Sequence, residues 1–201
     1  MKVHHILLTF ILIFAFFSQT AFGVVLLDKE EALKEMFPEA DEIVEEVHEL
    51  TEVEITAVKD QLGGQLVHFQ RGSQSEMVQD KLSYTFYFGM IDGEKMGVAI
   101  IEEQPGKWGP VEFIIALDNA TVKVKNLAVM SYQEKRGRPI ARKSFLNQFI
   151  GKGSEDPIKV RKDVRAISGA TISSDATCFA VKKVIALYEE VYIKKQLTIV
   201  E

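Results

Sequence analysis

The chain contains a single cysteine, Cys178, among its 201 residues. One thiol cannot close an intramolecular disulfide, and alone it cannot build a zinc or iron–sulfur centre. In an oxidising compartment, stability must therefore come from packing. Cations are in the minority, with 24 Lys and Arg against 29 Asp and Glu and a formal net charge of −5, which argues against nucleic acid as a partner. The four histidines fall at positions 4, 5, 48 and 68 and form no metal-ligand pattern. Gly106-Lys107 and Gly151-Lys152 lack the hydroxyl residue and upstream glycine of a phosphate loop, so nucleotide hydrolysis is discarded. Internal repeats and low-complexity linkers are also missing.

A long apolar run occurs only at the start. Ile6 to Phe17 is apolar apart from Thr9, Lys2 precedes it, and Ala21-Phe22-Gly23 follows with small residues where a signal peptidase reads. This is the pattern of an export signal cleaved after Gly23. The alternative is a retained N-terminal anchor, for which Val24 to Leu27 would lengthen a block otherwise short of the roughly 20 residues a span needs. The remaining chain is of a size that fits one domain.

From Val24 to Gly64 the sequence is acidic and reads as helical. Asp28 with Glu31 forms a capping box ahead of Leu33, Met36 and Phe37; Glu39–Leu50 places Ala40, Ile43, Val44 and Val47 on one helical face; Val53–Leu62 ends at Gly63-Gly64. Most of the acidic residues here are expected to form a solvated face. Beyond Gly64 come short apolar, alternating runs, beginning with Gln65–Phe69 and continuing around Tyr84–Met90, Met96–Ile101, Val111–Leu117 and Val122–Met130. They are joined by Asp92-Gly93, the Pro105–Pro110 turn and Asp118–Thr121. Consecutive strands with short connections imply an antiparallel meander. Ile140–Ile150 reads as a helix. A last helix, from about Ser174 to Gln196, is apolar on two sides and should be well buried. The expected class is α+β: an antiparallel sheet flanked by helices, with a helical N-terminal segment and a long C-terminal helix.

The stretch Ala166-Ile167-Ser168-Gly169-Ala170-Thr171-Ile172-Ser173-Ser174 sets a small, hydroxyl-rich turn directly before that last helix. A helix start offers unpaired N–H groups and the positive end of the macrodipole, which suits an anion. Gly169 allows close approach or positive φ. The bland reading is an ordinary cap.

Ser168-Gly169-Ala170-Thr171, followed by an apolar residue and a Ser, resembles the flavinylation motif of the FMN-binding domain family. That family includes flavin subunits of sodium-pumping NADH:quinone oxidoreductase and Rnf-type complexes. The resemblance extends to Gly97–Ile100, Pro105–Pro110, Tyr132–Gly137 and Phe145–Phe149, in that order. It implies an FMN-binding domain over 65–201, an acidic helical segment over 24–64 and an export segment over 1–23. It further implies FMN esterified through its phosphate to Thr171. Ser168, Gly169, Ala170 and Ser173 would lie about the phosphate, and Glu134 and Gly137 near the ring. The implied protein is an exported electron carrier in the periplasm or on the outer face of the cytoplasmic membrane. It would be matured by a flavin transferase and served by a membrane-bound or exported redox partner, or would itself be a small reductase.

One position departs from the family pattern. Arg165 stands three residues before Ser168, where an acidic residue is usual, with Asp163 two places earlier. Either Arg165 impairs covalent attachment, leaving noncovalent FMN or a non-redox binding module, or its planar fork pairs with the phosphate. Ser168 and Ser173 either bind phosphate or cap the helix. Trp108 and Tyr132 are candidates to stack on a flavin or belong to the core. Cys178, on the last helix, reads as a core residue.

Overall fold

The structure is a computed structural model that describes residues 23–73, 78–133 and 138–195. The expected export segment up to residue 22, the site candidates Glu134 and Gly137, and Gln196 lie outside the described residues.

Six strands form one antiparallel sheet: β1 (Val24–Val25), β2 (Glu42–Glu49), β3 (Ser83–Ile91), β4 (Glu94–Pro105), β5 (Pro110–Asp118) and β6 (Val124–Tyr132). Their order across the sheet is β1-β6-β5-β4-β3-β2, so β2 to β6 are the expected meander with β1 added beyond β6. The turns follow from their residues. Ile91 pairs with Glu94 across a two-residue hairpin in which Asp92 and Gly93 both take positive φ, 51° and 80°. Asp118 Oδ1 accepts from the N–H groups of Ala120 and Thr121 and from the Thr121 hydroxyl, which closes the β5–β6 turn.

Alternation along the strands sorts the core into two layers. Val111, Phe113, Ile115 and Leu117 of β5 face one side and Ile114 and Ala116 the other, all fully buried. The first side packs against α2 (Glu52–Gln61), α3 (Lys143–Leu146) and α4 (Thr171–Tyr188), which continues into a π-helical turn at Glu189–Ile193. The second packs against α1 (Lys29–Met36) and Phe37. Phe37 lies over Gly89 and Gly97, which face each other across β3 and β4. A Cβ on Gly89 would fall 2.6 Å from the Phe37 ring, so the close approach requires glycine there.

Three expectations need correction. Glu39–Leu50 is not a helix: Glu42–Glu49 is β2, paired along its length with β3. The spacing of Ile43, Val44 and Val47 imitates a helical stripe, yet Val47 is 72% exposed. The aromatic strand Tyr84–Phe88 supplies a ladder, and the polar residues on the helix-facing side find partners there: Glu46 accepts from the Tyr192 hydroxyl (2.8 Å) and from Lys95 (2.6 Å), and His48 bonds Glu54 (3.0 Å). Ile140–Ile150 is a 3-10 turn at Arg138–Ala141 followed by one turn of α3, because Arg142 adopts extended backbone between them. Gln65–Phe69, read as the start of the alternating texture, forms bends instead of a strand.

Candidate functional site

The last helix begins at Thr171, three residues earlier than its apolar periodicity suggests. The chain enters it through a turn in which the Ala170 N–H donates to the Ile167 carbonyl at 3.0 Å. Gly169, the third residue of that turn, takes φ 79°, as such turns demand. A Cβ at Gly169 would meet nothing within 4 Å, so backbone conformation alone calls for glycine here.

This helix start differs from the other two long enough to compare. Asp28 with Glu31 caps α1 and Thr51 with Glu54 caps α2, each as a complete capping box. At α4 the N-cap position is held by Ala170, and among the described residues no side chain caps it. The first helical bond runs from the Ser174 N–H to the Ala170 carbonyl at 2.9 Å, so the N–H groups of Thr171, Ile172 and Ser173 precede the ladder. With the macrodipole behind them, they form a turn able to receive a phosphate.

The hydroxyls divide by position. Thr171 and Ser168 are exposed, whereas Ser173 and Ser174 are buried. Neither Ser168 nor Ser173 caps the helix. Ser174, which the sequence reading did not single out, does the structural work: its Oγ donates to the Ala170 carbonyl at 2.9 Å and accepts from the Ile167 N–H at 3.1 Å. The Ser173 carbonyl accepts from the Thr177 hydroxyl at 2.8 Å.

Upstream, the Gln148 side-chain amide clamps the backbone of Arg165, accepting from its N–H at 2.9 Å and donating to its carbonyl at 3.3 Å. The Arg165 side chain is exposed and lines two cavities shared with Gln148. One, of about 390 Å³, continues along residues 161–166; the other, of about 430 Å³, reaches Ser144, Phe145 and Ile167. Asp163, the nearest acidic residue, is engaged. It binds Lys152 at 2.7 Å and accepts from the N–H groups of Ile158 and Lys159; although burial opposes ionisation, these contacts hold its carboxyl below the ordinary range. Lys159, Arg161, Lys162 and Arg165 around it are all exposed, giving the approach to the turn a cationic face.

On its other flank α4 meets the segment after α2. Gln70 Nε2 donates to the Ile172 carbonyl at 3.0 Å, and the Ser73 hydroxyl bonds the Gly106 carbonyl at the β4–β5 hairpin. A buried polar chain supports this segment. Lys183 Nζ donates to Glu102 Oε1 at 2.8 Å, Gln104 Nε2 donates to the same oxygen at 2.7 Å, and Gln104 Oε1 accepts from the His68 N–H at 3.0 Å. The His68 ring stacks on Phe179 with centroids 5.0 Å apart and planes 12° apart. Burial pushes the His68 pKa down. Trp108 is half-buried, with Lys107 Nζ 5.1 Å from its ring centre, while Tyr132 is 2% exposed in the core. Cys178 is a buried free thiol, its pKa raised by burial to about 12.

Five sequence candidates, Ser168, Gly169, Ala170, Thr171 and Ser173, thus share one turn. Arg165 stands three residues before it, and Glu134 and Gly137 fall outside the described residues. Sequence reasoning missed Ser174, Gln148 and Gln70. Ser174 carried a signal of its own, a hydroxyl four residues after Ala170 at the helix start; the two amides bond across distances in sequence that leave no local mark.

Comparison with solved structures found similarity to the crystal structure of Shewanella oneidensis NqrC. The TM-score is 0.53 at 11% identity, with coverage of 82% of this chain and 88% of that one. At that identity the likeness is one of fold. Comparison with curated protein sequences gave no match. Residues 106–186, from the β4–β5 hairpin to the last turns of α4, match the family described as FMN-binding domain. That span holds the whole Arg165–Ser173 segment, so the likeness to the FMN-binding domain family covers the candidate turn.

Proposed function

We propose that the protein is an exported electron carrier whose FMN is esterified through its phosphate to the Thr171 hydroxyl. The observation that carries this reading is the start of α4, where an exposed threonine hydroxyl sits on a helix turn whose N–H donors no side chain caps among the described residues. The residues fit the group. Gly169 leaves open space beside the turn, three N–H groups precede the helical ladder, and the cationic approach from Lys159 to Arg165 complements a phosphate. Attachment would form a bond from Thr171 Oγ to phosphorus and break the bond from phosphorus to the donor's leaving oxygen, which departs with the hydroxyl proton, so the chain gains one FMN less one water.

When bound, the flavin supplies the electron chemistry, and the protein supplies position, shielding and local charge. No catalytic acid or base is required of the chain. Ser174 and Gln148 hold the segment from Arg165 to Ala170 on either side of the turn. Among the described residues no helix is long and apolar enough to cross a membrane. Electrons would pass to and from a membrane-bound or exported partner at the outer face of the membrane, after maturation by a flavin transferase. A covalent link suits that compartment, because a lost cofactor could not be replaced there.

Intact-mass spectrometry on chain exported together with a flavin transferase tests the reading. The expected result is an added mass of one FMN less one water in wild type, absent in Thr171→Ala. Unmodified wild type would overturn the ester and leave Arg165, in place of an acid, as the feature that blocks it.

A further inference from the structure

The two ends of the sheet expose different surfaces. β4 runs the length of the sheet from Glu94 to Pro105, roughly 35 Å at the usual rise of a strand. The β3–β4 and β5–β6 turns therefore lie at one end and the β4–β5 hairpin at the other. Segments distant in sequence meet at the hairpin end. Gly23 and Gly109 both abut the Gln133 side chain, which a Cβ on either would approach to 3.3 Å and 2.5 Å. Val24 pairs with Tyr132 at the end of β6. The Ser73 hydroxyl bonds the Gly106 carbonyl, and Gln70 bonds the Ile172 carbonyl beside Thr171. The point where the chain leaves its apolar N-terminal run, the hairpin tip and the start of α4 thus share one end of the domain.

That end is apolar and cationic at its surface. Val24, Val25 and Leu26 are exposed, and so is Phe69, between the start of α4 and the hairpin. Arg71 and Lys107 are exposed beside them, and Trp108 is half-buried next to Lys107. Aromatic rings, aliphatic side chains and long cations together are the composition that suits a lipid headgroup layer.

We infer that the hairpin end is the lipid-contacting face of the domain, with Phe69 and Val25 entering the headgroup layer of an anionic bilayer and Arg71 and Lys107 meeting its phosphates. The apolar run Ile6 to Phe17 argues for a bilayer as the occupant. Residues 18–23, which separate that run from Val24, reach at most roughly 20 Å when extended. A retained run would hold this end close to the bilayer, and cleavage after Gly23 would instead add the Val24 ammonium to the same cationic surface. With this face on the membrane, the start of α4 points toward a membrane-bound partner without any turning of the domain. The inference rests on the reading of an exported protein working at a membrane, and it is independent of the ester at Thr171.

Trp108 is the only tryptophan in the chain and reports from the hairpin. The full chain, with residues 1–23 retained, is reconstituted into vesicles of phosphatidylglycerol and phosphatidylcholine that contain a nitroxide-headgroup phosphatidylcholine, and quenching of tryptophan fluorescence is measured. Strong quenching of Trp108 is expected, falling several-fold in the double variant Phe69→Ser, Arg71→Glu. Little quenching is expected when the tryptophan is moved to the opposite end by Trp108→Phe with Glu94→Trp. Lys107→Glu, at an exposed position, repeats the measurement should the double variant fail to fold. Unquenched Trp108, or equal quenching from both ends, would overturn the face. So would quenching that these variants leave unchanged, because the tether alone would then hold the end near the lipid. An FMN ester with unquenched Trp108 would sink the face alone, and strong, variant-sensitive quenching with an unmodified mass would sink the ester alone.

Discussion

Ser174 Oγ accepts the N–H of Ile167, seven residues back, at 3.1 Å while donating to the carbonyl of Ala170. A single buried hydroxyl thereby fastens the turn to the helix it precedes. Ser174→Ala removes both bonds and leaves the Ile167 N–H without its acceptor. The expected cost is about 1–2 kcal/mol of stability, read from urea denaturation. Hydrogen exchange should accelerate at the Ile167 amide more than at amides in the β4–β5 core. Unchanged exchange at Ile167 would show that the turn holds without Ser174.

Lys183 and Glu102 are each 1% exposed at the side chain, and Glu102 Oε2 has no partner among the described residues. Breaking such a pair on one side strands a charge in the core. Lys183→Met or Glu102→Leu alone should therefore cost about 3–5 kcal/mol. The double variant should recover much of that loss, because two apolar groups replace two desolvated charges. Denaturant melts of the three variants decide the matter, and additive losses in the double variant would contradict the coupling.

Legibility in the sequence followed the range of the interactions. The β3–β6 meander, the capping box of α1 and the Asp92-Gly93 hairpin were readable because each rests on neighbours in the chain. Strand β2 was not, since Ile43, Val44 and Val47 satisfy helical spacing and only the ladder to Tyr84–Phe88, with Tyr192 as partner to Glu46, turns them into an edge strand. The glycine-containing turn and its exposed threonine stood out because the motif is contiguous. The parts that brace it are distant: Gln148 lies 17 residues from Arg165 and Gln70 lies 102 from Ile172.

Glu54 ties the start of α2 to the far end of the last helix. Burial alone would raise its pKa, but bonds from Lys195, His48 and Thr51 outweigh that and bring it from 4.5 to about 2. A carboxyl depressed in the folded state contributes stability above its unfolded pKa and loses it as pH falls toward the folded one. Wild type should therefore lose stability between about pH 4.5 and 2, and Glu54→Gln should be less stable at neutral pH with a shallower slope in that window. Melting temperatures across the range test this, and parallel curves for the two proteins would refute it.

Cys178 offers a check on packing that requires no cofactor. It is 5% exposed, and burial, with the nearby charges of Asp175 and Asp163, raises its thiol to about 12. At pH 8 the thiolate is then roughly one part in ten thousand, and the small reagent-accessible area slows attack further. Iodoacetamide should leave the native protein unlabelled over hours and add one group after denaturation. Rapid native labelling would mean that the loop across Ile158 and Val160 opens readily, a local unfolding event that amide exchange in the same segment would register independently.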